Sequence, residues 1–268
     1  MKGPELLASY EDNWETTMGA CFPGEQRIVV RGADLFDSFK ESGWMEYLLF
    51  VVTGKRDKKL ANLLESIWVY CTSFPDPRLW NNRVASLAAT TRSTAALGIS
   101  AGNAVSEATL YGLKPIKGVS DFLLKVQSEL DQGIDLDLIL EKKMKLNRSI
   151  YGYGRPIVES DERIPPVIKM IKESGYFGGS YLLLAFEIEK KLQKKYKVQM
   201  NIAAVYGALL CDQKFTPMET YYMAVLSFSA GMFGSYIDAL EKPSGTFFPL
   251  PSCRINYKGV EELRVWEQ

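Results

Sequence analysis

Residues 46–69 read EYLLFVVTGKRDKKLANLLESIWV. An apolar run from Tyr47 to Val52 ends at Thr53-Gly54, and Leu60, Leu63, Leu64, Ile67, Trp68 and Val69 then recur at spacings of three and four. That period lines apolar side chains along one face of a 3.6-residue helix. The stretch therefore predicts two amphipathic helices with a glycine stop between them. The same period continues in both directions along the chain, so the expected fold class is all-α.

Toward the N-terminus, only Gln26–Arg31 (QRIVVR), between Gly24 and Gly32, alternates like a strand. It predicts a minor strand or hairpin that leaves the class unchanged. Toward the C-terminus, Pro75 and Pro77 break the chain before Ala85–Ala108, a tract dominated by Ala, Gly, Ser and Thr. Small residues on successive turns let helix backbones approach closely, so the tract predicts buried central helices or a subunit contact. Asp121–Lys145 reads as two surface helices joined near Gln132-Gly133. Ile150–Arg163 (IYGYGRPIVESDER) combines Gly, Pro, aromatic and charged residues and reads as a site loop. In it Gly152 and Gly154 permit close backbone approach to a ligand, and Pro156 fixes the exit. Pro165-Pro166 opens a helix, Gly175–Ser180 turns into a helix over Tyr181–Tyr196, and Asn201–Leu210 and Met218–Leu240 read as apolar helices before an irregular Pro243–Gly259. The lysines at 190, 191, 194, 195 and 197 are expected to face solvent.

Composition removes whole classes of chemistry. None of the 268 residues is histidine, the side chain best suited to move protons near pH 7. Ser-His-Asp and Cys-His nucleophile systems and histidine-held zinc, haem or facial-triad iron are therefore excluded. Lys plus Arg number 32 and Asp plus Glu 32, a balance that gives no global field toward nucleic acid or a membrane surface. With 47% apolar residues, the length suits one large domain, or a domain with a smaller lobe. Cys21, Cys71, Cys211 and Cys253 lie far apart without a C-x-x-C pair and predict reduced thiols, with neither a disulfide framework nor a metal site. The opening MKGPELLASYEDNWE lacks a signal-peptide core and no apolar run is long enough to span a bilayer, so the expectation is a soluble cytoplasmic protein.

Several passages together resemble the citrate synthase superfamily, in particular its short members similar to citryl-CoA lyases. They are RIVVRGADLFDSF (27–39), NNRVASLAATTRST (81–94), PIKG (115–118), GYGRPIVESDER (152–163) and MNIAAVYGALL (200–210). The similarity runs from about Trp14 to Tyr257. It implies a nearly all-helical fold with a large domain (1–118 and 226–268) and a small one (119–225), a homodimer, and a site in the cleft between domains. It also implies an acyl-CoA and a small carboxylate or oxo acid as ligands, with the coenzyme A thioester as substrate and neither a permanently bound cofactor nor a metal.

The family removes an α-proton from a thioester with an Asp and uses two histidines to hold the enolate and activate a ketone. Matched by motif, the first histidine falls on Lys117, the second on Arg155 and the Asp on Ala203. The resemblance thus implies a rebuilt site with Lys117 and Arg155 as the catalytic pair. Both can donate to a developing oxyanion, whereas Arg stays protonated and Ala has no proton to move, so Lys117 becomes a base only if its pKa falls. Arg163, Asn201 and Arg254 are carried as substrate contacts, Arg254 or Lys242 standing where the family sends a basic residue into the partner's site, and Tyr151, Gly152, Tyr153 and Gly154 as the coenzyme A end of the loop. A later family arginine, on the helix near Ser227 to Gly231, falls on Phe228 or a neighbour. Two functions follow: a divergent enzyme of CoA-thioester condensation or cleavage, or a non-catalytic relative serving as a ligand-binding or accessory subunit.

Overall fold

A computed structural model describes residues 3–155 and 160–260. A short helix, α1 (Pro4–Ala8), leads into a three-stranded antiparallel sheet ordered β1 (Gly19–Phe22), β2 (Arg27–Val30) and β3 (Ala33–Asp34). The QRIVVR alternation is β2. Its partner β1, paired Gly19 to Val30 and Phe22 to Arg27, comes from a segment without visible alternation. Asp34 then caps α2 (Leu35–Ser38) through the Phe36 N–H at 3.0 Å.

The remaining described elements are helical. The opening pair becomes α3 (Trp44–Thr53) and α4 (Lys58–Cys71). Gly54 closes α3 in the left-handed region, φ 76°, its N–H on the Phe50 carbonyl at 2.7 Å. Asp57 starts α4 by accepting the Leu60 N–H at 2.9 Å. There follow α5 (Trp80–Thr90), α6 (Ala95–Ser106), α7 (Leu113–Asp131), α8 (Leu136–Asn147), α9 (Ile164–Glu173), α10 (Ser180–Tyr196), α11 (Ile202–Asp212), α12 (Pro217–Tyr222) and α13 (Ser229–Leu240).

Helices α7 and α11 form the hub. Val119, Leu123 and Val126 of α7 and every residue from Ala204 to Cys211 of α11 are buried. A side chain at Gly207 would meet Val119 Cγ1 at 2.6 Å, so glycine sets how closely these helices approach. Each large apolar side chain removed from water here contributes ~1.5–3 kcal/mol. The expectation of two surface helices over Asp121–Lys145 is corrected for the first: α7 is central because neighbours cover its apolar stripe. Residue 118 lies inside this helix. Helix α10 packs on α11 and ties to α8 through Lys191 Nζ to Asp137 Oδ2 at 2.7 Å and through Lys195 to Glu141. Two lysines of the basic run are thus paired.

The small-residue tract folds into α5 and α6, with α13 packed across both. Side chains at Gly98 and Gly102 would strike Ala88 and Met232, and Ser86 Oγ donates to the Ser235 carbonyl at 3.0 Å. The expected burial of the whole tract is corrected. Ala85, Ala89, Gly98 and Gly102 are buried, but Leu97 is 60% exposed and Leu87 47%. A helix in a two-layer packing buries one stripe, and the opposite stripe of α5 and α6 stays open in the single chain.

Candidate functional site

Residues 150–155 enter between the hub helices. Gly152 holds φ 86°, and a side chain there would meet Val119 Cγ2 at 2.7 Å and Ala204 Cβ at 2.9 Å. Its missing side chain therefore serves contact with α7 and α11, a packing role that the sequence did not announce. Beside it, the ring of Tyr151 lies against Gly118, so the residue after Lys117 is covered by the loop. The Asn201 N–H donates to the Gly152 carbonyl at 2.8 Å and the Gly154 N–H to the Gln199 carbonyl at 2.7 Å, a bridge that fastens the loop to the entry of α11.

That entry is capped by Asn201, whose Oδ1 accepts the Ala203 N–H at 3.0 Å while Nδ2 donates to the Gly154 carbonyl at 2.9 Å. Each end of the carboxamide makes one structural bond, so Asn201 serves as a cap and loop tie, with one N–H and one lone pair left over. Tyr153 is likewise a core anchor, 6% exposed, its hydroxyl on the Ala185 carbonyl at 3.0 Å and its ring edge-on to Phe122.

Asp161 is the centre of the cluster. Its side chain is fully buried, and Oδ2 accepts the Ile202 N–H at 2.8 Å, placing the charge at the positive end of α11. Arg163 grips the same carboxylate with Nε on Oδ1 and Nη2 on Oδ2, each at 2.7 Å, and sends Nη1 to the Cys71 carbonyl at the end of α4 at 3.1 Å. Arg155 approaches from the other side, with Nη1 3.8 Å from Asp161 Oδ1, 2.9 Å from the Ser160 carbonyl and 2.5 Å from Glu162 Oε2. The two guanidinium groups do converge, but on carboxylates of the chain itself, so two positive and two negative charges balance.

Burial alone would raise the Asp161 carboxyl, but the Arg163 hydrogen bonds and charge, with those from the Ile202 and Arg163 N–H groups, hold it below its ordinary value. Burial opposes the Arg163 charge as well, and the bond to Asp161 raises its pKa. The pair therefore stays charged. Burial pushes the Cys71 thiol up to about 12, against the pull of Arg163, which leaves it a poor nucleophile.

The sequence-expected residues divide as follows. Arg155, Arg163, Asn201 and the Tyr151–Gly154 loop come together. Lys117 belongs to α7 just before the Tyr151-covered Gly118, half-buried, its amine without a hydrogen bond or ion pair among the described residues. Ala203 stands in the first turn of α11, one residue beyond the Ile202 N–H that binds Asp161. Arg254 lies on an exposed turn, Ser252–Arg254, with a local bond from its N–H to the Pro251 carbonyl, and joins none of these contacts. Pro156 falls outside the described residues.

Three residues of the neighbourhood had no assigned role from sequence: Asp161, Asn81 and Tyr111. Asp161 was legible within the DER triplet as a carboxylate two residues from an arginine. Asn81 and Tyr111 carry no local signal, because only folding brings the start of α5 to the turn before α7.

Among the described residues no group of three or more Cys, Asp or Glu could hold a metal ion, and no helix is long and apolar enough to cross a membrane. Surface hollows between α7 and α8 (Phe122, Lys125, Lys142) and between α4 and α9 (Lys59, Asn62, Glu173) measure about 160 and 280 Å³. Both fall short of the ~300–1,000 Å³ usual for small-molecule sites and lie away from Asp161.

No protein-family model matches the sequence, and no curated protein matches it. Solved structures do match in fold. Citryl-CoA lyase from Hydrogenobacter thermophilus aligns with a TM-score of 0.79 at 13% identity, over 94% of this chain and 97% of the lyase. ATP citrate lyase from Methanosaeta concilii, a D541A mutant in complex with (3S)-citryl-CoA, gives 0.77 at 16% identity, over 98% of this chain and 45% of that one. Citrate synthase from Thermotoga maritima gives 0.63 at 20%, over 83% and 59%. The fold is the citrate synthase-like helical fold of citryl-CoA lyase.

Proposed function

We propose that this protein binds a coenzyme A thioester and a small carboxylate or oxo acid and catalyses citryl-CoA-type condensation or cleavage in a histidine-free site. The observation that carries the reading is end-to-end coincidence of the fold with citryl-CoA lyase, together with the gathering of Arg155, Arg163 and the loop from Tyr151 at the entry of α11. In this reading Arg155 and Lys117 supply the positive donors for a developing oxyanion. Arg163 and Asp161 hold the loop that carries Arg155, and Arg163 turns its remaining exposed edge to the carboxylate ligand. A site of this kind closes around its ligand between a large lobe (1–118 and 226–268) and a small one (119–225), with α7 crossing between them.

The same reading makes the protein a homodimer through the open face of α5, α6 and α13, where Leu97, Phe233 and Ile237 are 60%, 47% and 52% exposed. Arg254, which shares no hydrogen bond or ion pair with the cluster among the described residues, then belongs to the partner's site. Light scattering at tens of micromolar, an order-of-magnitude working range for a dissociable dimer, is expected to give twice the chain mass. A monomer at that concentration overturns the assembly.

The chemistry is tested with a panel of acyl-CoAs in D₂O, read by mass spectrometry. Solvent deuterium entering an acyl group, or turnover with an oxo acid, is expected for at least one thioester and is expected to vanish in Lys117→Met. Citrate synthesis from acetyl-CoA and oxaloacetate is expected to be very weak, because a positioned general base contributes ~10²–10⁴-fold and none stands at Ala203. One observation favours the second reading, a non-catalytic accessory subunit: both arginines are already neutralised by Asp161 and Glu162. Binding of coenzyme A without exchange or turnover across the panel decides for it.

A further inference from the structure

Tyr111, in the turn before α7, places its ring between Trp80 and Phe228, with centroids at 5.3 and 5.9 Å. Its hydroxyl donates to Asn81 Oδ1 at 3.3 Å, and the same oxygen accepts the Asn82 N–H at 2.9 Å. A backbone N–H only donates, so this bond decides which end of the carboxamide is oxygen. Asn81 Nδ2 is consequently turned away and is buried without a partner among the described residues, in a side chain whose residue is 1% exposed. An unmet buried donor is costly and marks an incomplete polar wall.

This wall adjoins the arginine cluster through a continuous set of contacts. Arg163 donates to the Cys71 carbonyl, the adjoining Thr72 Oγ1 donates to the Ser227 carbonyl at 2.7 Å, and Phe228 then packs on Tyr111. Tyr111 itself is half-buried, and its phenol lies within reach of the Arg163 charge.

We propose that Tyr111 is the neutral hydrogen-bond donor of this histidine-free site, giving its hydroxyl to a carbonyl or carboxylate oxygen of the bound oxo acid beside Arg163, with Asn81 holding the phenol in place. The assignment rests on the citrate synthase-like reading above and adds a group that the motif correspondence does not contain. At 3.3 Å the bond to Asn81 is long for an O–H donor, and Asn81 Oδ1 keeps the Asn82 N–H when the hydroxyl turns to a ligand, so the exchange leaves no acceptor bare. Burial pushes the phenol up to about 12 despite the Arg163 charge and the Asn81 bond. It is therefore a donor at neutral pH and not a base.

The test uses full-length protein with oxaloacetate, citrate and coenzyme A as separate calorimetric probes. Tyr111→Phe keeps the ring stack and removes only the hydroxyl. It is expected to bind oxaloacetate or citrate about tenfold more weakly, the scale of one hydrogen bond, with coenzyme A affinity and melting temperature unchanged. Independently, the 3-fluorotyrosine ¹⁹F resonance that disappears in Tyr111→Phe is expected to shift when oxaloacetate is added to the otherwise unaltered protein. Equal carboxylate affinity in the two proteins, or a stationary Tyr111 resonance at saturation, overturns the donor role. If the unaltered protein binds coenzyme A but neither carboxylate, the donor role falls and the thioester reading stands. If it binds none of the three probes, both fall.

Discussion

Arg163 lies fork to fork on the carboxylate of Asp161, two residues upstream, at 2.7 Å for both contacts. Because Asp161 also accepts the Ile202 N–H and Arg163 donates to the Cys71 carbonyl, this one pair joins the end of α4 and the entry of α11 to the start of α9. A guanidinium matches a carboxylate in two parallel bonds, so the pair fixes orientation as well as distance.

Removing one partner of such a pair leaves the other charge stranded. Asp161→Ala is expected to destabilise the fold by ~3–5 kcal/mol, the cost of an uncompensated buried charge. Urea denaturation checks this, and a loss under ~1 kcal/mol would show that water replaces the carboxylate.

Stability is expected to fall with acid at the same place. A carboxyl held below its unfolded pKa stabilises the fold above that unfolded value and loses the contribution as pH falls through the folded one. With the Asp161 carboxyl lowered from an unfolded value of ~3.9, its contribution is present at neutral pH and declines below about pH 4. Urea midpoints of the natural chain and Asp161→Asn should therefore converge between pH 7 and pH 3. A gap that widens in acid contradicts the assignment.

Gly152→Ala puts a methyl group where Val119 and Ala204 already stand, on backbone at φ 86°. The cost is expected to be ~2–4 kcal/mol from strain and overpacking together. Gly133→Ala, at φ 83° but with open space around it, carries only the backbone part, ~1 kcal/mol. Equal melting temperatures for the two variants would mean that the loop sits differently between α7 and α11.

Arg155 offers the cleaner binding test, because Glu162, its closest acidic partner, is exposed and exposed pairs contribute only ~0–1 kcal/mol. Arg155→Ala is expected to fold normally and to bind the proposed thioester or carboxylate ~1.5–3 kcal/mol more weakly, the scale of a hydrogen bond to a charged group. An affinity unchanged by calorimetry would return Arg155 to a purely structural role.

Sequence alone determined what depends on neighbours along the chain. The spacing of Leu60, Leu63, Leu64 and Ile67 specified α4, Thr53-Gly54 specified the end of α3, and the missing histidines removed most metal and nucleophile chemistry, because periodicity, turn conformation and side-chain pKa are local properties. Tertiary structure decided the rest. Whether α7 was surface or hub depended on which elements covered Val119 and Leu123. The role of Gly152 depended on where α11 passed, and the condition of the arginines on whether Asp161 reached them first. Tyr111 meets Asn81 across 30 residues of sequence, a contact with no period to announce it, since it exists only once the turn before α7 is laid against the start of α5.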